Sequence, residues 1–263
     1  MIDGKAIPMI EDDILKRFPN GYKYLKQHED ILRGREKGKM NKDGWFLYIY
    51  PKNLYSSNQI KLVSPDITMG LQLTKDNDGV CVKDGAYGIS FKEGVNLIES
   101  NVLAILNSNL LWFYLKNTGN VLRGGYFRFK TKYISPFPVI KLDELENIFE
   151  EKIKRIFKDS ENLSNVTMKF HRLLFRKFNL EKLPKKLQEW NKLTFAEFTK
   201  ELKKKKIKLG LSEEAEWEDY FEAEKAKAQA IQSEIDQTDR AIDQMVYELY
   251  GLTEEEIRIV EGS

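Results

Sequence analysis

Between residues 11 and 37, apolar side chains (Ile14, Leu15, Phe18, Tyr22, Leu25, Ile31, Leu32) recur at spacings near three and four, the period of a helix face, and Pro19-Asn20-Gly21 interrupts them. A short helix, a turn and a second helix are expected there. Asn41-Lys42-Asp43-Gly44 marks a loop, after which the pattern changes to strands: Trp45–Tyr50, Gln59–Val63, Gly70–Leu73, Val80–Val82 and Tyr87–Ile89. Asp76-Asn77-Asp78-Gly79 reads as a hairpin turn, because Asp-Gly supplies the backbone angles such turns need. Helical spacing returns over 95–117, with Leu97, Val102, Ile105, Leu106 and Leu110 on one side and Ser100 as a cap. Tyr126–Phe129 then alternates like a strand, and Pro136 and Pro138 end it.

From residue 142 onward the pattern is helical. Helices are expected over Leu142–Phe157 and Val166–Phe178, with Ser160–Ser164 as the break between them. Thr194-Phe195-Ala196-Glu197 is a capping box that opens a helix to about Lys205. Ser212-Glu213-Glu214-Ala215 reads as a cap for a helix ending near Tyr250, where Gly251 stops it, with Ile231, Ile235, Ile242, Val246 and Leu249 as its apolar stripe. Leu252–Ile257 suggests a last short helix. No repeat of fixed period is visible. The expected architecture is α+β: a core of mixed β-sheet with flanking helices over 1–140, followed by a helical region over 141–263.

At 263 residues, with 41% hydrophobic and 12% aromatic content, the chain has ample material for a core. No run of 18 apolar residues exists, and Met1-Ile2-Asp3-Gly4-Lys5 lacks the layout of a signal peptide, so a cytoplasmic protein with no membrane partner is expected. The single cysteine, Cys81, excludes an internal disulfide and a multi-cysteine zinc site; in Val80-Cys81-Val82 it reads as a core residue. The net charge of +2 hides a strong polarity. Residues 1–210 hold 39 Lys+Arg against 25 Asp+Glu, a net +14, whereas 211–263 hold 4 against 16, a net −12. A basic body attracts polyanions, and an acidic tail belongs away from them. The run Lys203-Lys204-Lys205-Lys206 reads as a solvated helical face ahead of a DNA contact.

Candidate chemistry concentrates in Leu122-Arg123-Gly124-Gly125-Tyr126-Phe127-Arg128-Phe129-Lys130-Thr131-Lys132-Tyr133. Two arginines, two lysines and four aromatics surround a double glycine, a mix suited to pairing with phosphates, stacking on bases and admitting a close backbone approach. In a strand from Tyr126, residues 126, 128, 130 and 132 share one face, so Arg128, Lys130 and Lys132 line up beside Tyr126 while Phe127 and Phe129 turn to the core. That alternation equally suits an edge strand with a solvated outer face. Lys52 and Asn53, in Tyr50-Pro51-Lys52-Asn53, are a second candidate contact; Asn58, Gln59 and Lys61 are weaker ones. Pro65-Asp66 opens like a nuclease motif, but no Asp/Glu-x-Lys follows, and Cys81-Val82-Lys83 has cysteine where the acid belongs. His28 and His171 lie on separate expected helices without metal-ligand company.

The phrase LNSNLLWFYLKNTGNVLRGGYFRFKTKYISPFPV (106–139) resembles the heart of the TaqI-like C-terminal specificity domain, the target recognition domain of adenine-specific DNA methyltransferases and fused restriction-modification enzymes. RFPNGYKYLKQHEDILRGRE (17–36), YPKNL (50–54), IKLVSPDIT (60–68) and DQMVYELYGLTEEEIRIVE (243–261) are similar to further parts of that family. The resemblance implies sequence-specific binding of double-stranded DNA through Arg123, Gly124, Gly125, Tyr126, Arg128, Lys130, Lys132, Lys52 and Asn53. It also implies a partnering N6-adenine methyltransferase domain, in cis or in trans, that holds S-adenosylmethionine. The family's catalytic tetrapeptide needs a Pro-Pro pair, and the prolines stand singly at 8, 19, 51, 65, 136, 138 and 184. The chain is therefore expected to read DNA in a restriction-modification or phage-defence system and to hold no catalytic centre, cofactor or metal itself. An RNA-binding module and a helical interaction scaffold remain as alternatives.

Overall fold

Glu11, Asp12 and Asp13 at one end and Lys16 and Arg17 at the other suit a helix dipole, and the chain forms α1 (Glu11–Arg17) there. Pro19 does not break the next helix. It opens α2 (Pro19–Gln27), where a missing N–H costs nothing, and the kink falls at Phe18. A computed structural model of the chain describes residues 8–50, 61–79, 85–92, 94–95, 97–140 and 147–262. It continues with α3 (Glu29–Arg33) and a single turn, α4 (Arg35–Gly38), in which Glu36 (φ 50°) and Lys37 (φ 61°) wind left-handed.

Trp45–Tyr50, expected as a strand, is a folded loop. The Arg35 guanidinium donates to the carbonyls of Trp45 (2.6 Å) and Leu47 (2.9 Å), taking the acceptors a sheet neighbour would use, and Arg33 holds Lys42 O at 3.2 Å. Trp45 is completely buried, with Lys26 and Arg33 over its ring at 5.5 and 5.6 Å.

The strands follow as β1 (Lys61–Pro65), β2 (Ile67–Thr68), β3 (Thr74–Asp76) and β4 (Ala86–Ile89). β1 is the middle of an antiparallel sheet of order β3-β1-β4, with Leu62 facing Lys75 on one side and Ile89 on the other. Gly70–Leu73 is not a strand; pairing starts after it, at Thr74. At Asp76-Asn77-Asp78-Gly79, the Asp78 N–H donates to Asp76 Oδ1 (3.1 Å) and Gly79 takes φ +69°, as a tight turn requires. Val80–Val82 lies outside the described residues.

Contacts divide the chain into two compact units, residues 1–67 with 73–93 and residues 68–72 with 94–263. The second begins with α5 (Glu99–Asn107) and α6 (Asn109–Thr118) where one helix over 95–117 was expected. The break is chemical: the Ser108 hydroxyl donates back to Ile105 O (2.8 Å) and accepts from the Leu111 N–H (3.4 Å), ending one helix and capping the next. Ser100 lies inside α5, its hydroxyl donating to Asn147 Oδ1 (2.6 Å). The hairpin β5 (Val121–Leu122) and β6 (Tyr126–Arg128) follows, β6 lying between β5 and β2. Then come α7 (Thr131–Ile134), α8 (Glu150–Phe178), α9 (Lys185–Gln188), a 3₁₀ turn (Trp190–Lys192), α10 (Phe195–Lys204), α11 (Leu211–Leu249) and α12 (Glu254–Glu261).

α8 runs without the expected break at Ser160–Ser164, because Leu163 and Val166 keep the buried face in register. It lies antiparallel to α11: Phe178 meets Trp217, Phe170 meets Tyr220 and Phe221, and Arg155 pairs with Glu234. At 1.5 Å per residue the two helices are about 43 and 58 Å long. Their far end is closed by α9, the 3₁₀ turn and α10 around an aromatic centre, where Phe170 stacks on Trp190 at 3.8 Å and Phe198 lies 4.9 Å from Phe221. The Thr194–Glu197 capping box forms as expected. For α11, Gly210 rather than Ser212 is the cap: Glu213 Oε2 accepts its N–H at 3.2 Å. Gly251 (φ +67°) ends that helix, and Thr253 with Glu256 boxes the start of α12. The architecture is α+β. Among the described residues, no helix is long and apolar enough to cross a membrane.

Candidate nucleic-acid interface

A two-stranded hairpin needs a turn that reverses the chain without splaying its strands, and three residues do this between Leu122 and Tyr126, which face each other in register. Gly124 (φ +89°) and Gly125 (φ +79°) both occupy the region that favours glycine, and the Gly125 N–H closes the turn on Leu122 O at 3.2 Å. A Cβ on Gly124 would press on the Tyr126 ring at 3.4 Å. One on Gly125 would have no atom within 4 Å, so the backbone there is open to an approaching group.

The hairpin presents one set of side chains outward. Arg123 is exposed, as is Tyr126 at 41% relative accessibility, whereas Phe127 and Phe129 are buried. Phe127 is fixed edge-on to Trp112 of α6 at 5.2 Å, and Lys116 lies over that indole at 5.5 Å. Below them, Phe137 packs between Tyr114 (5.2 Å) and Tyr250 (6.0 Å), and the Tyr250 hydroxyl donates to Pro138 O at 2.6 Å. The basic turn thus stands on a layer of rings. The expected alternation holds from Tyr126 to Lys130, with Arg128 and Lys130 half-buried. It ends there, because the strand stops at Arg128 and Lys130 caps α7. Lys132 therefore projects from a helical turn, its Nζ 4.5 Å from the Tyr133 ring, and not from a strand face. The fold brings Arg123, Gly124, Gly125, Tyr126, Arg128, Lys130 and Lys132 into one stretch of unit two. Lys52 and Asn53 lie outside the described residues.

Lys61 is not available as a contact. It is buried in an ion pair with Asp76 at 2.7 Å, the two side chains 3% and 7% exposed and opposite each other across β1 and β3. His171, whose Nε2 lies 3.2 Å from Leu187 O, is structural, and burial pushes its pKa down. Among the described residues, no three His, Cys, Asp or Glu side chains form a metal cluster.

Residues not singled out from sequence gather in unit one. The loop pinned by Arg35 exposes Tyr48 (75%) and Tyr50 (55%), and Lys39 Nζ donates to the Tyr50 hydroxyl at 3.0 Å while lying 4.5 Å from its ring. Lys37 of α4 and Lys42, just before the loop, are also exposed. The signal was aromatics interleaved with lysine; the strand-like spacing of Trp45–Tyr50 concealed it.

Residues 13–139 match the family described as TaqI-like C-terminal specificity domain, a span that contains this hairpin, Trp112, Tyr114 and Phe137 beneath it, and the Arg35 loop. That match, 127 of the chain's 263 residues, agrees with the resemblance carried by the 106–139 phrase. Residues 142–246, from before α8 to near the end of α11, match a second model, a domain of unknown function (DUF8810). Among curated proteins, the chain is similar to the type II methyltransferase M.BstVI of Geobacillus stearothermophilus, 25% identical over 165 residues, which is 60% of this chain and 28% of that protein. It is also similar to the type II methyltransferase M.BanIII of Aneurinibacillus aneurinilyticus, 28% identical over 125 residues, 47% of this chain and 22% of that one. The chain thus spans about a quarter of the length of these relatives. The specificity domain ends just past the Pro136-Phe137-Pro138 segment, and Tyr250 of the helical region is bonded to that segment.

Proposed function

We propose that this chain binds duplex DNA sequence-specifically, as the target recognition part of an N6-adenine DNA methyltransferase or restriction-modification enzyme acting against phage DNA in the cytoplasm. The observation that carries this reading is the Arg123-Gly124-Gly125-Tyr126 turn, exposed at the tip of a hairpin whose next aromatics, Phe127 and Phe129, are locked inward. Arg123 and Arg128 are the candidates for bidentate contact with base edges, and Lys130 and Lys132 for phosphates, with Lys52 and Asn53 as a second contact. Residues 1–140 serve as the recognition core and 141–263 as its helical extension. Methyl transfer, with S-adenosylmethionine and extrusion of the adenine, belongs to a catalytic domain supplied in cis or in trans; the chain's own part is to grip and read.

Fluorescence anisotropy with a degenerate duplex pool, selected for the preferred site, tests this. The wild-type chain is expected to prefer one site over scrambled duplex and over single-stranded RNA. Arg123→Ala with Arg128→Ala should weaken binding to that site by about 1–3 kcal/mol for each base edge the variant can no longer read. Equal affinity for all duplexes, or preference for RNA, overturns the reading.

A further inference from the structure

Within the helical region, residues 180–208 hold ten lysines and four glutamates. Three of those glutamates are already engaged. Glu189 pairs with Lys192 (2.6 Å), Glu201 pairs with Lys204 (2.7 Å), and Glu197 accepts from the Thr194 N–H (2.9 Å) in its capping box. The fold then joins two lysine groups that are distant in sequence. Lys182 and Lys185, at the start of α9, and Lys205, at the end of α10, line one open depression of about 580 Å³ with Leu183, Gln188 and Glu189. Among the described residues none of these three lysines makes an ion pair, and all three are exposed. Lys205 is brought there by an unusual helix end: Lys206 takes φ +62°, a position that glycine fills at less cost, while Ile207 N–H bonds back to Leu202 O at 3.1 Å.

We infer that the depression lined by Lys182, Lys185 and Lys205 is a second docking point for the phosphodiester backbone of duplex DNA, outside the recognition hairpin. The inference rests on the DNA-binding role proposed above. Three ammonium groups around a concavity whose one carboxylate is already neutralised suit a run of phosphates, and the Gln188 amide there is turned to the Leu183 carbonyl at 3.5 Å. It sits at the far end of α8. The near end of α8 is tied to the specificity domain through Asn147 and Ser100, so the depression lies about one length of that helix, about 43 Å, from that tie. At 3.4 Å per base pair this is about 13 base pairs of duplex. The extension would then lengthen the footprint and raise affinity without altering sequence preference.

The test compares the full chain with the Lys182→Gln, Lys185→Gln, Lys205→Gln triple variant on the selected site, embedded in duplexes of about 12 and about 40 base pairs, over a salt series. The substituted side chains are exposed, and a thermal melt verifies that the variant folds. The wild type is expected to bind the long duplex at least tenfold more tightly. The variant should lose that advantage, bind the short duplex like the wild type, and show a long-duplex salt slope smaller by up to about 2.7, at about 0.9 per phosphate contact. A variant that keeps wild-type affinity and slope on the long duplex overturns the inference, as does a wild type indifferent to length; both leave the hairpin reading standing. Failure of the hairpin reading shows separately, as loss of site preference on the short duplex.

Discussion

Lys61 separates two physical roles that one amino acid type can play. A lysine on a DNA-facing strand contributes salt-dependent affinity and almost no stability, whereas Lys61 is buried against Asp76 at 2.7 Å. Changing Lys61 to Met removes the ammonium group 2.7 Å from the buried Asp76 carboxylate. Breaking one side of a buried pair costs about 3–5 kcal/mol, a large part of the roughly 4.5–13.5 kcal/mol expected for a unit of some 90 residues at about 0.05–0.15 kcal/mol per residue. At about 1.36 kcal/mol per tenfold change, amide exchange in peptides spanning 61–76 should accelerate by roughly a hundred- to a few thousand-fold. The double variant Lys61→Met, Asp76→Leu should recover most of the loss, since a buried pair replaced by apolar groups is often neutral. It should still fall short by about 0.5–1.5 kcal/mol, because Asp76 Oδ1 also accepts the Asp78 N–H at 3.1 Å. The assay is hydrogen exchange by mass spectrometry beside a DNA salt titration of each variant. If protection changes less than threefold while the salt slope drops by about one, Lys61 touches phosphate and the buried pair is wrong.

Gly124→Ala and Gly125→Ala should each cost about 1–2 kcal/mol for placing a side chain at positive φ, or about 2–8 °C of melting temperature, with Gly124 the worse because its Cβ meets the Tyr126 ring; equal melting of both variants and the wild type would refute the turn geometry. Phe170→Ala should destabilise unit two by about 3–5 kcal/mol in urea unfolding and shift tryptophan emission to the red as Trp190 loses its 3.8 Å stacking partner, and a loss under 1 kcal/mol contradicts that packing. Asp243 has its pKa raised from 3.8 to about 6, chiefly by burial, which outweighs the opposing Asn109 N–H, with the charges of Asp239 and Glu261 adding to the rise. Its ionisation therefore costs more in the folded state. The associated stability is fully present below about pH 4 and lost as pH rises through about 6, and Asp243→Asn should flatten denaturation midpoints across that window; an unchanged profile in the variant excludes Asp243 as the cause.

What could be read from sequence was local chemistry. Thr194-x-x-Glu197 bonds only to itself, and two adjacent glycines can make the hairpin turn whatever surrounds them, so both appear where the residues place them. What could not be read depended on partners far along the chain. The apolar alternation of Trp45–Tyr50 fits a strand until Arg35, ten residues upstream of Trp45, takes its carbonyl. The serines at 160 and 164 look like a helix break until α11 supplies a continuous face for α8. Lys61 reads as a surface cation until β3 sets Asp76 opposite it, whereas the Lys203–Lys206 run is exposed, as its charge suggests.

The acidic C-terminal segment illustrates how charge and packing can point in different directions. A net −12 over 211–263 suggests a removable tail, yet α11 is built into both ends of unit two. Its first half supplies Trp217, Phe221 and Ala228 to the aromatic centre. Its second half buries Ile242, Val246 and Tyr247, while Asp243 accepts both the Asn109 N–H and the Asn109 side-chain amide at 2.8 Å, at the start of the helix that supports the hairpin. Deleting residues 211–263 would therefore strip the core and the cap together, and any loss of DNA affinity would report unfolding. The charge has to be probed where it is not holding the fold, at the exposed Glu216, Glu218, Asp219 and Glu222, whose neutralisation leaves the buried face of α11 intact. If the acidic face docks a catalytic domain, those four changes weaken assembly and spare site-specific binding. If it only repels DNA from the back of the helix, they raise non-specific affinity instead.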